Sequence, residues 1–331
     1  MPKAIALYSG GLDSTLAVLV MERLGVTVSA VLFDTDFGCS VSRRSGGRNS
    51  PAPGFEFEKI YIGEKFIELV KDPKFGRGKN MNPCIDCKVL MLKEAKRLME
   101  ERGADFLVTG EVLWQRPMSQ RRDTLPRIDR AAGVEGLVVR PLSAKLLNPT
   151  VPEERGLIER DSLYGMSGRS RKPQMALAKE LGLTAYPQPA GGCLLTDPTF
   201  SRRLRDLLSR VPDPPAREIQ LLRVGRHFRT ADGFRIIVGR DEQDNEKIWN
   251  LAGPEDNLLQ VAGDYGGPLL LADPVISEEG LNLAAAICAR YSAARKLPLV
   301  TVQISQNKEA YSVDVKPAQD EEIERYRIQS P

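Results

Sequence analysis

The stretch "KAIALYSGGLDSTLAVLVMERLG", residues 3–25, decides the fold of the first part of the chain. It opens with a short apolar run typical of a buried strand and continues through a Gly-rich turn. An apolar-rich segment follows and stops at Gly25, as expected of a helix. The next run, "VTVSAVLFDTD" (26–36), has the composition of a second strand. A strand, a tight loop, a helix and a strand predict an α/β fold with a parallel sheet.

The same alternation continues through the first half of the chain. Further strands are predicted at "FEFEKIYI" (55–62), "ADFLVTG" (104–110) and "GLVVRPL" (136–142), and helices at "GEKFIELVKD" (63–72) and "PCIDCKVLMLKEAKRLMEERG" (83–103). The stretch "VPDPPARE" (211–218) is rich in proline and is typical of a linker. The sequence therefore predicts a first domain at 1–210, a linker at 211–217, and a smaller α+β domain at 218–331.

Composition limits the classes of protein and site that are compatible with this chain. It has 331 residues and a net charge of +3, which alone does not establish a nucleic-acid partner. No run approaches 18 apolar residues and no signal peptide is recognised, so we expect a cytoplasmic protein with no membrane partner. One histidine, His227, and five cysteines argue against histidine triads and against a disulfide framework.

The segment "SGGLDS", residues 9–14, lies between the first strand and the first helix. Glycines there let the backbone approach a phosphate, and the helix N-terminus attracts negative charge. A simple Gly-rich turn is the alternative interpretation. The segment resembles the PP-loop of the ATP pyrophosphatases, which adenylate their substrates. That resemblance implies ATP with Mg²⁺, and candidate nucleotide-binding residues at Ser9, Gly10, Gly11, Asp13 and Ser14, with Asp13 also a candidate catalytic residue. Asp34 and Asp36, at the end of the second strand, are weaker candidates near the nucleoside.

A second segment, "TGEVLWQRPMSQ" (109–120), follows a predicted strand. It resembles the TGExxGQxxSQ segment of tRNA 4-thiouridine synthetases, with Trp114 in place of the glycine and one extra residue before Ser119. Polar groups at a parallel strand end are placed to meet a ligand. The candidates are Thr109, Gly110, Glu111, Gln115, Arg116 and Gln120, and Lys145 is a further candidate for neutralising phosphate charge.

Cys84 and Cys87 form a CxxC turn at the start of a predicted helix, and Cys193 lies in "GGC", which, like "NPC" at residues 82–84, resembles motifs of tRNA 2-thiouridylases. Ordinary structural cysteines are one interpretation. Another interpretation is that one thiol carries a persulfide, and a second thiol resolves it by forming a disulfide. The favoured one is a 4Fe-4S cluster on Cys84, Cys87 and Cys193, which the resemblance to iron–sulfur tRNA thiolases implies. Cys39 is a weaker candidate ligand, and Cys288 is expected in the core.

These resemblances imply a tRNA sulfurtransferase. Adenylation of a uracil carbonyl oxygen makes it a leaving group, which sulfur then replaces, and the segment at 109–120 favours 4-thiouridine over 2-thiouridine. No rhodanese-type segment is recognised, so sulfide or a separate donor protein is expected to supply sulfur. An amide- or nitrile-forming PP-loop synthetase and a non-catalytic RNA-binding protein are the alternatives.

The last part of the chain has its own resemblance. "VGRHFRT" (224–230), "EDNLLQVAGDYGGPLLLAD" (255–273) and "AAAICARYSAARKLPLVTVQIS" (284–305) follow one another in the order of an NFACT-R RNA-binding domain. The resemblance implies that this region binds tRNA. Arginines near glycine turns and strand ends are candidate phosphate contacts, namely Arg223, Arg226, Arg229, Arg235 and Arg240.

Overall fold

The computed structural model describes residues 1–37, 56–183, 185–186 and 193–328. The chain forms two compact units, Met1–Asp197 and Pro198–Pro331. The helix Pro198–Arg210, which the sequence analysis assigned to the first domain, belongs to the second unit. Its contacts explain this assignment, because Arg203 donates to the carbonyl oxygens of Leu222 and Gly225 at 2.8 and 3.0 Å. The functional boundary at 211–217 stays a prediction.

The first unit contains a five-stranded parallel sheet in the order β3-β2-β1-β4-β5. The strands are β1 Lys3–Leu7, β2 Thr27–Asp34, β3 Glu58–Tyr61, β4 Phe106–Thr109 and β5 Val138–Val139. The helices are α1 Leu12–Arg23, α2 Gly63–Lys71, α3 Cys84–Glu101, α4 Thr124–Ala132, α5 Val151–Glu154 and α6 Lys172–Glu180. This arrangement confirms the predicted α/β class.

Both faces of the first sheet are covered, as buried parallel strands require. Successive side chains of β1 point to opposite faces. Ala4 and Ala6 lie in the core cluster that includes Leu16 of α1 and Leu177 of α6. Ile5 lies in the other cluster, with residues of α3 and α4. The sheet edge at which β1 and β4 end therefore has structured layers on both sides.

The second unit is built on a six-stranded antiparallel sheet in the order β11-β10-β8-β9-β7-β6. Its strands are β6 Arg226–Arg229, β7 Arg235–Val238, β8 Asn257–Val261, β9 Leu270–Ala272, β10 Val300–Gln306 and β11 Glu309–Val315. Its helices are α7 Pro198–Arg210, α8 Ala216–Leu221, α9 Glu242–Leu251, α10 Glu278–Arg290 and α11 Asp320–Tyr326. The predicted α+β domain is therefore confirmed. In the ranges described above, no helix combines the length and apolar character needed to cross a bilayer.

Candidate nucleotide and thiol site

The PP-loop is the short turn that joins β1 to α1. Gly10 has a φ of 76°, a left-handed conformation that glycine adopts readily. Ser14 donates from its hydroxyl to the Gly11 carbonyl at 2.9 Å and accepts from the Ser9 amide at 3.3 Å. These bonds hold the loop at the positive end of α1, where backbone N–H groups favour an anion.

Gly110 lies directly against the PP-loop backbone. β4 is hydrogen-bonded beside β1 in parallel register, with Thr109 opposite Leu7, so both chains leave the sheet at the same edge. A Cβ atom on Gly110 would lie 2.5 Å from both the Asp13 carbonyl carbon and the Ser14 amide nitrogen. The sequence predicted a nucleotide contact at Gly110, and the structure places it where only glycine lets β4 approach the loop.

Asp13 occupies the first turn of α1 and is half-buried. Its Oδ2 accepts a hydrogen bond from the Gln115 amide at 3.0 Å. Burial raises the pKa of Asp13 above its ordinary value, although Gln115 and the charges of Arg171 and Arg116 act in the opposite direction. Burial thus disfavours the negative charge of Asp13, and Gln115, Arg171 and Arg116 stabilise it in part.

The two aspartates at the end of β2 have protein partners. The Oδ2 atom of Asp34 pairs with the Lys59 ammonium at 2.8 Å. Asp36 has a φ of 57° and accepts a hydrogen bond from the Tyr61 hydroxyl at 2.6 Å. Burial and this bond raise the pKa of Tyr61. Both carboxylates are held at the sheet edge predicted for the nucleoside.

Glu111 lies inside a buried ion network. Its carboxylate accepts hydrogen bonds from the Thr109 hydroxyl at 3.2 Å and Arg140 Nε at 3.0 Å, and lies 3.3 Å from the Lys88 ammonium. Arg140 also donates to Asp129 of α4 at 2.9 and 2.7 Å. Burial alone would raise the pKa of Glu111, but Lys88 and Arg140 outweigh it and lower that pKa to about 2.

This network joins elements that the sequence analysis treated separately. Sequence reasoning did not assign a role to Lys88 or Asp129. Lys88 directly follows Cys87, and a lysine next to the CxxC turn was the available signal. Gly110 contacts the PP-loop. The next residue, Glu111, is ion-paired with Lys88 of α3, the helix that carries the CxxC thiols.

Lys145 occupies a single helical turn, Ala144–Leu146, and its side chain is exposed. Its amide donates to the Tyr164 carbonyl at 3.1 Å, which fixes the backbone there. Arg122 donates to the neighbouring Leu146 carbonyl. The structure therefore leaves the Lys145 ammonium accessible to an anion.

The cysteines predicted to hold sulfur are located on two segments that are hydrogen-bonded together. Cys84 begins α3, Cys87 lies one turn later, and both are half-buried, as is Cys193. The Met81 amide donates to the Leu195 carbonyl at 3.1 Å, and the Asn80 side chain donates to the Thr196 carbonyl at 2.8 Å. The segment before Cys84 therefore lies against the segment after Cys193.

The three thiols are the candidate ligands for a metal cluster. Thiolates are suitable ligands for iron–sulfur clusters. Among the residues that the structure describes, however, no group of three or more His, Cys, Asp or Glu side chains is arranged to hold a metal ion. Cys39 lies outside the described residues. Burial raises the pKa of the Cys288 thiol to about 12, in agreement with its predicted core position.

Trp114 has an unusual backbone conformation in the loop at residues 112–120. Its φ is 65°, in the left-handed region where a bulky side chain costs about 1–2 kcal/mol relative to glycine. Glycine, which the resembling segment has at this position, adopts such a conformation without that cost. The Trp114 amide donates to the Gln120 carbonyl at 2.7 Å, and the Gln120 side chain accepts from the Arg116 amide at 2.9 Å.

In the second unit, the arginines predicted to contact phosphate are mostly engaged within the protein. Arg229 pairs with Asp206, Arg240 with Asp244, and the buried Arg235 with Glu218 and Asp273, as separate ion pairs. The prediction for these three residues is therefore revised, because their charges are already compensated.

A basic cavity of about 430 Å³ lies elsewhere in the second unit. Its lining includes Arg202, Arg203, Arg226 and Arg327, with Glu324 as its carboxylate. His227 also lines it, and burial, with Arg203 and Arg235 nearby, lowers the pKa of this imidazole well below its ordinary value. The cavity is therefore positive without the histidine.

Comparisons with known families agree with both resemblances. The family described as "Thiamine biosynthesis protein (ThiI)" matches residues 1–145. The family described as "NFACT protein RNA binding domain" matches residues 225–327. The chain therefore contains one segment similar to the ThiI family and one segment similar to the NFACT RNA-binding domain. The ThiI-type match contains the PP-loop, the CxxC turn and Lys145, whereas Cys193 lies beyond it.

Curated proteins whose names refer to tRNA sulfur transfer or thiouridylation are similar to part of this chain. A "Probable tRNA sulfurtransferase" of Thermococcus kodakarensis is 28% identical over 150 residues, which cover 42% of this chain and 36% of that protein. A "tRNA-specific 2-thiouridylase MnmA" of a Wolbachia from Brugia malayi is 28% identical over 128 residues, which cover 33% of this chain and 34% of that protein. The chain thus spans about a third of the length of these curated relatives.

A solved structure of a 4-thiouridine synthetase–RNA complex with bound ATP also aligns. It shares 22% identity, covers 55% of this chain and 51% of that chain, and has a TM-score of 0.33.

Proposed function

We propose that this protein is a tRNA uridine sulfurtransferase that uses ATP with Mg²⁺. One observation supports this assignment most directly. Gly110 contacts the PP-loop backbone, and the next residue, Glu111, pairs with Lys88 beside Cys87. A phosphate-binding loop and a thiol pair are therefore fixed to one strand end, as a reaction that combines adenylation with sulfur transfer requires.

In this proposal the PP-loop holds the pyrophosphate part of ATP. Its backbone N–H groups and the end of the α1 dipole bind negative charge, and Ser9 and Ser14 fix the loop. Lys145 stabilises the additional charge as pyrophosphate leaves. Asp13, held by Gln115, orients the loop and its cationic neighbours toward the reacting phosphates.

The reaction has two steps. A uracil carbonyl oxygen bonds to the α-phosphorus, and the bond between the α- and β-phosphates breaks to release pyrophosphate. A sulfur nucleophile then adds to the activated ring carbon, and the C–O bond breaks to release AMP. The product has sulfur in place of oxygen. The segment at 109–120 favours attack at C4, which gives 4-thiouridine.

The sulfur is delivered at Cys84, Cys87 and Cys193. A 4Fe-4S cluster, which the sequence resemblance implies, would present sulfide on iron when bound. The described thiols are not arranged as a metal site. In a persulfide route, the terminal sulfur attacks the ring, a second thiol cleaves the S–S bond, and an external thiol reduces the resulting disulfide. The sulfur of the persulfide comes from a separate donor protein that transfers sulfane sulfur, whereas free sulfide can serve only as the nucleophile that attacks the activated ring directly.

The NFACT-R-type domain binds the tRNA in this proposal. Its basic cavity replaces the ion-paired arginines as the expected phosphate contact. Guanidinium groups bind phosphate oxygens through paired N–H donors. The first unit therefore carries out catalysis, and the second unit binds the tRNA substrate.

Asp13→Asn tests the nucleotide step. We expect loss of tRNA-dependent pyrophosphate release, because the variant cannot place a carboxylate among Arg116, Arg171 and Gln115. We also expect no loss of thermal stability, because burial disfavours the Asp13 charge. The exposed Asp161→Asn is the matched control and should retain full release. Full activity of Asp13→Asn would overturn the assigned role, and pyrophosphate release that is independent of tRNA would indicate a different acceptor.

A further inference from the structure

We infer that Trp114 is a nucleobase-binding platform, on which a base of the RNA substrate stacks beside the PP-loop. This inference rests on the proposed function, because it assumes an RNA substrate. It begins from the left-handed φ of 65° at a bulky residue. Glycine would adopt that conformation without strain, and it would not expose an apolar ring. Strained residues that persist cluster at binding and catalytic sites.

The ring is presented by a firmly held backbone. The Leu113 amide donates to the Ser143 hydroxyl at 3.0 Å, and the Leu113 carbonyl accepts from the Gly168 amide at 2.7 Å. Ser143 is itself fixed, because its hydroxyl donates to the Met166 carbonyl at 2.7 Å. Leu113 is buried, yet the next side chain, Trp114, remains 47% exposed. A rigid backbone with one projecting aromatic ring is a preorganised binding surface.

The position and charge of the platform fit a nucleotide of RNA. The residue after Trp114, Gln115, donates to Asp13 of the PP-loop at 3.0 Å. The guanidinium of Arg121 lies 5.8 Å from the Trp114 ring centroid, and Arg116 is exposed on the same loop. Aromatic rings beside cationic groups bind single-stranded RNA by stacking its bases and pairing with its phosphates.

The reaction itself requires such a surface. A base inside a helix cannot present its carbonyl oxygen to an enzyme-bound phosphate, so it must leave its stack. An exposed indole can replace part of the lost stacking, since unstacked RNA bases are commonly held on aromatic side chains. We therefore assign the platform to the target base or its immediate neighbour, and not to the adenine of ATP.

Fluorescence can test this inference because the chain contains only two tryptophans. In a full-length Trp249→Phe protein, Trp114 is the sole indole reporter. We expect unmodified bulk tRNA to quench its emission and ATP alone to leave it unchanged. We also expect Trp114→Gly to weaken tRNA binding roughly 5- to 150-fold, the range that one stacked base contributes. Trp114→Phe should retain most of the affinity.

Stability measurements separate stacking from a structural role. Trp114→Gly relieves the left-handed strain, so its melting temperature should not fall. Quenching by ATP, or unchanged tRNA affinity in Trp114→Gly, would overturn the inference. A drop in melting temperature with unchanged affinity would show that the ring only packs against Arg121. If tRNA quenched the emission but no thiolation occurred, Trp114 would still be a base-stacking surface. The proposed function, and not this inference, would then be wrong.

Discussion

Arg140 is a residue of the first unit at which a single substitution is expected to be strongly destabilising. Its side chain is 5% exposed and bonds to two carboxylates, Glu111 and Asp129. Removing one partner of a buried ion pair leaves an uncompensated charge and typically costs about 3–5 kcal/mol. We therefore expect Arg140→Leu to lower the free energy of unfolding by about that amount in urea denaturation.

The matched control is Arg130→Leu. Arg130 lies on α4 with Asp129, but it is 68% exposed and pairs with the exposed Glu135 at 3.1 Å. Surface pairs contribute about 0–1 kcal/mol. Equal losses in the two variants would contradict the assignment of Arg140 as the centre of a buried network.

The partners and backbone conformations of individual residues could not be predicted from the sequence. Glu111 was predicted beside the nucleotide because it follows a parallel strand. Its actual partners, Lys88 and Arg140, are distant along the chain on either side, and one sequence does not indicate which charges will pair. Trp114 was recognised as a departure from the glycine of the resembling segment, but its left-handed φ became clear only with the loop in three dimensions.

At the scale of elements, regular patterns were predicted well and short charged helices were not. The ends of each strand predicted in the first unit lie within a few residues of the ends of the observed strand, because apolar runs bounded by glycine are distinctive. Helix α4 was missed, because no helix was predicted between residues 120 and 136. Leu125, Ile128 and Ala132 are its buried face, and Gly133 ends it with a φ of 69°, so helix periodicity was present in the sequence.

Helix α3 carries the test of how sulfur is held. If the cluster part of the proposal is correct, anaerobically purified protein contains about four iron atoms per chain. Cys84→Ala, Cys87→Ala and Cys193→Ala should each lose that iron and the brown absorbance. Cys288→Ala is the control and should retain both, because its thiol is buried in the core of the second unit.

Metal-free protein with full sulfur transfer would exclude the cluster and favour the persulfide route. In that case two of the three variants, those that lack the sulfur-carrying thiol and the resolving thiol, should still lose activity. Full activity in all three would show that none of these thiols carries sulfur.

At the scale of the whole molecule, the two units have different expected roles. Because α7 belongs to the second unit, a dissection of the chain should be made between Asp197 and Pro198. A break at residue 215 would separate Arg203 from the Leu222 and Gly225 carbonyls that it bonds. Point variants in the full chain avoid this problem.

The salt dependence of tRNA binding tests the role of the basic cavity. Arg202→Gln and Arg226→Gln should each reduce the slope of log affinity against log salt by roughly 0.7 to 0.9, because each removes one phosphate contact. Filter binding at several salt concentrations measures this slope. Arg240→Gln is the matched control, since Arg240 pairs with Asp244, and its slope should not change. If the slope changed only in the Arg240→Gln control, the assignment of the cavity as the tRNA contact would be contradicted.

The central claim, ATP-dependent thiolation of a tRNA uridine, is tested most directly by mass spectrometry of tRNA nucleosides from a strain that lacks this protein. The account predicts that one thiolated uridine, expected to be 4-thiouridine, disappears. It should return when the intact protein is supplied but not with Asp13→Asn. An unchanged profile of thiolated nucleosides in the deletion strain would contradict the account.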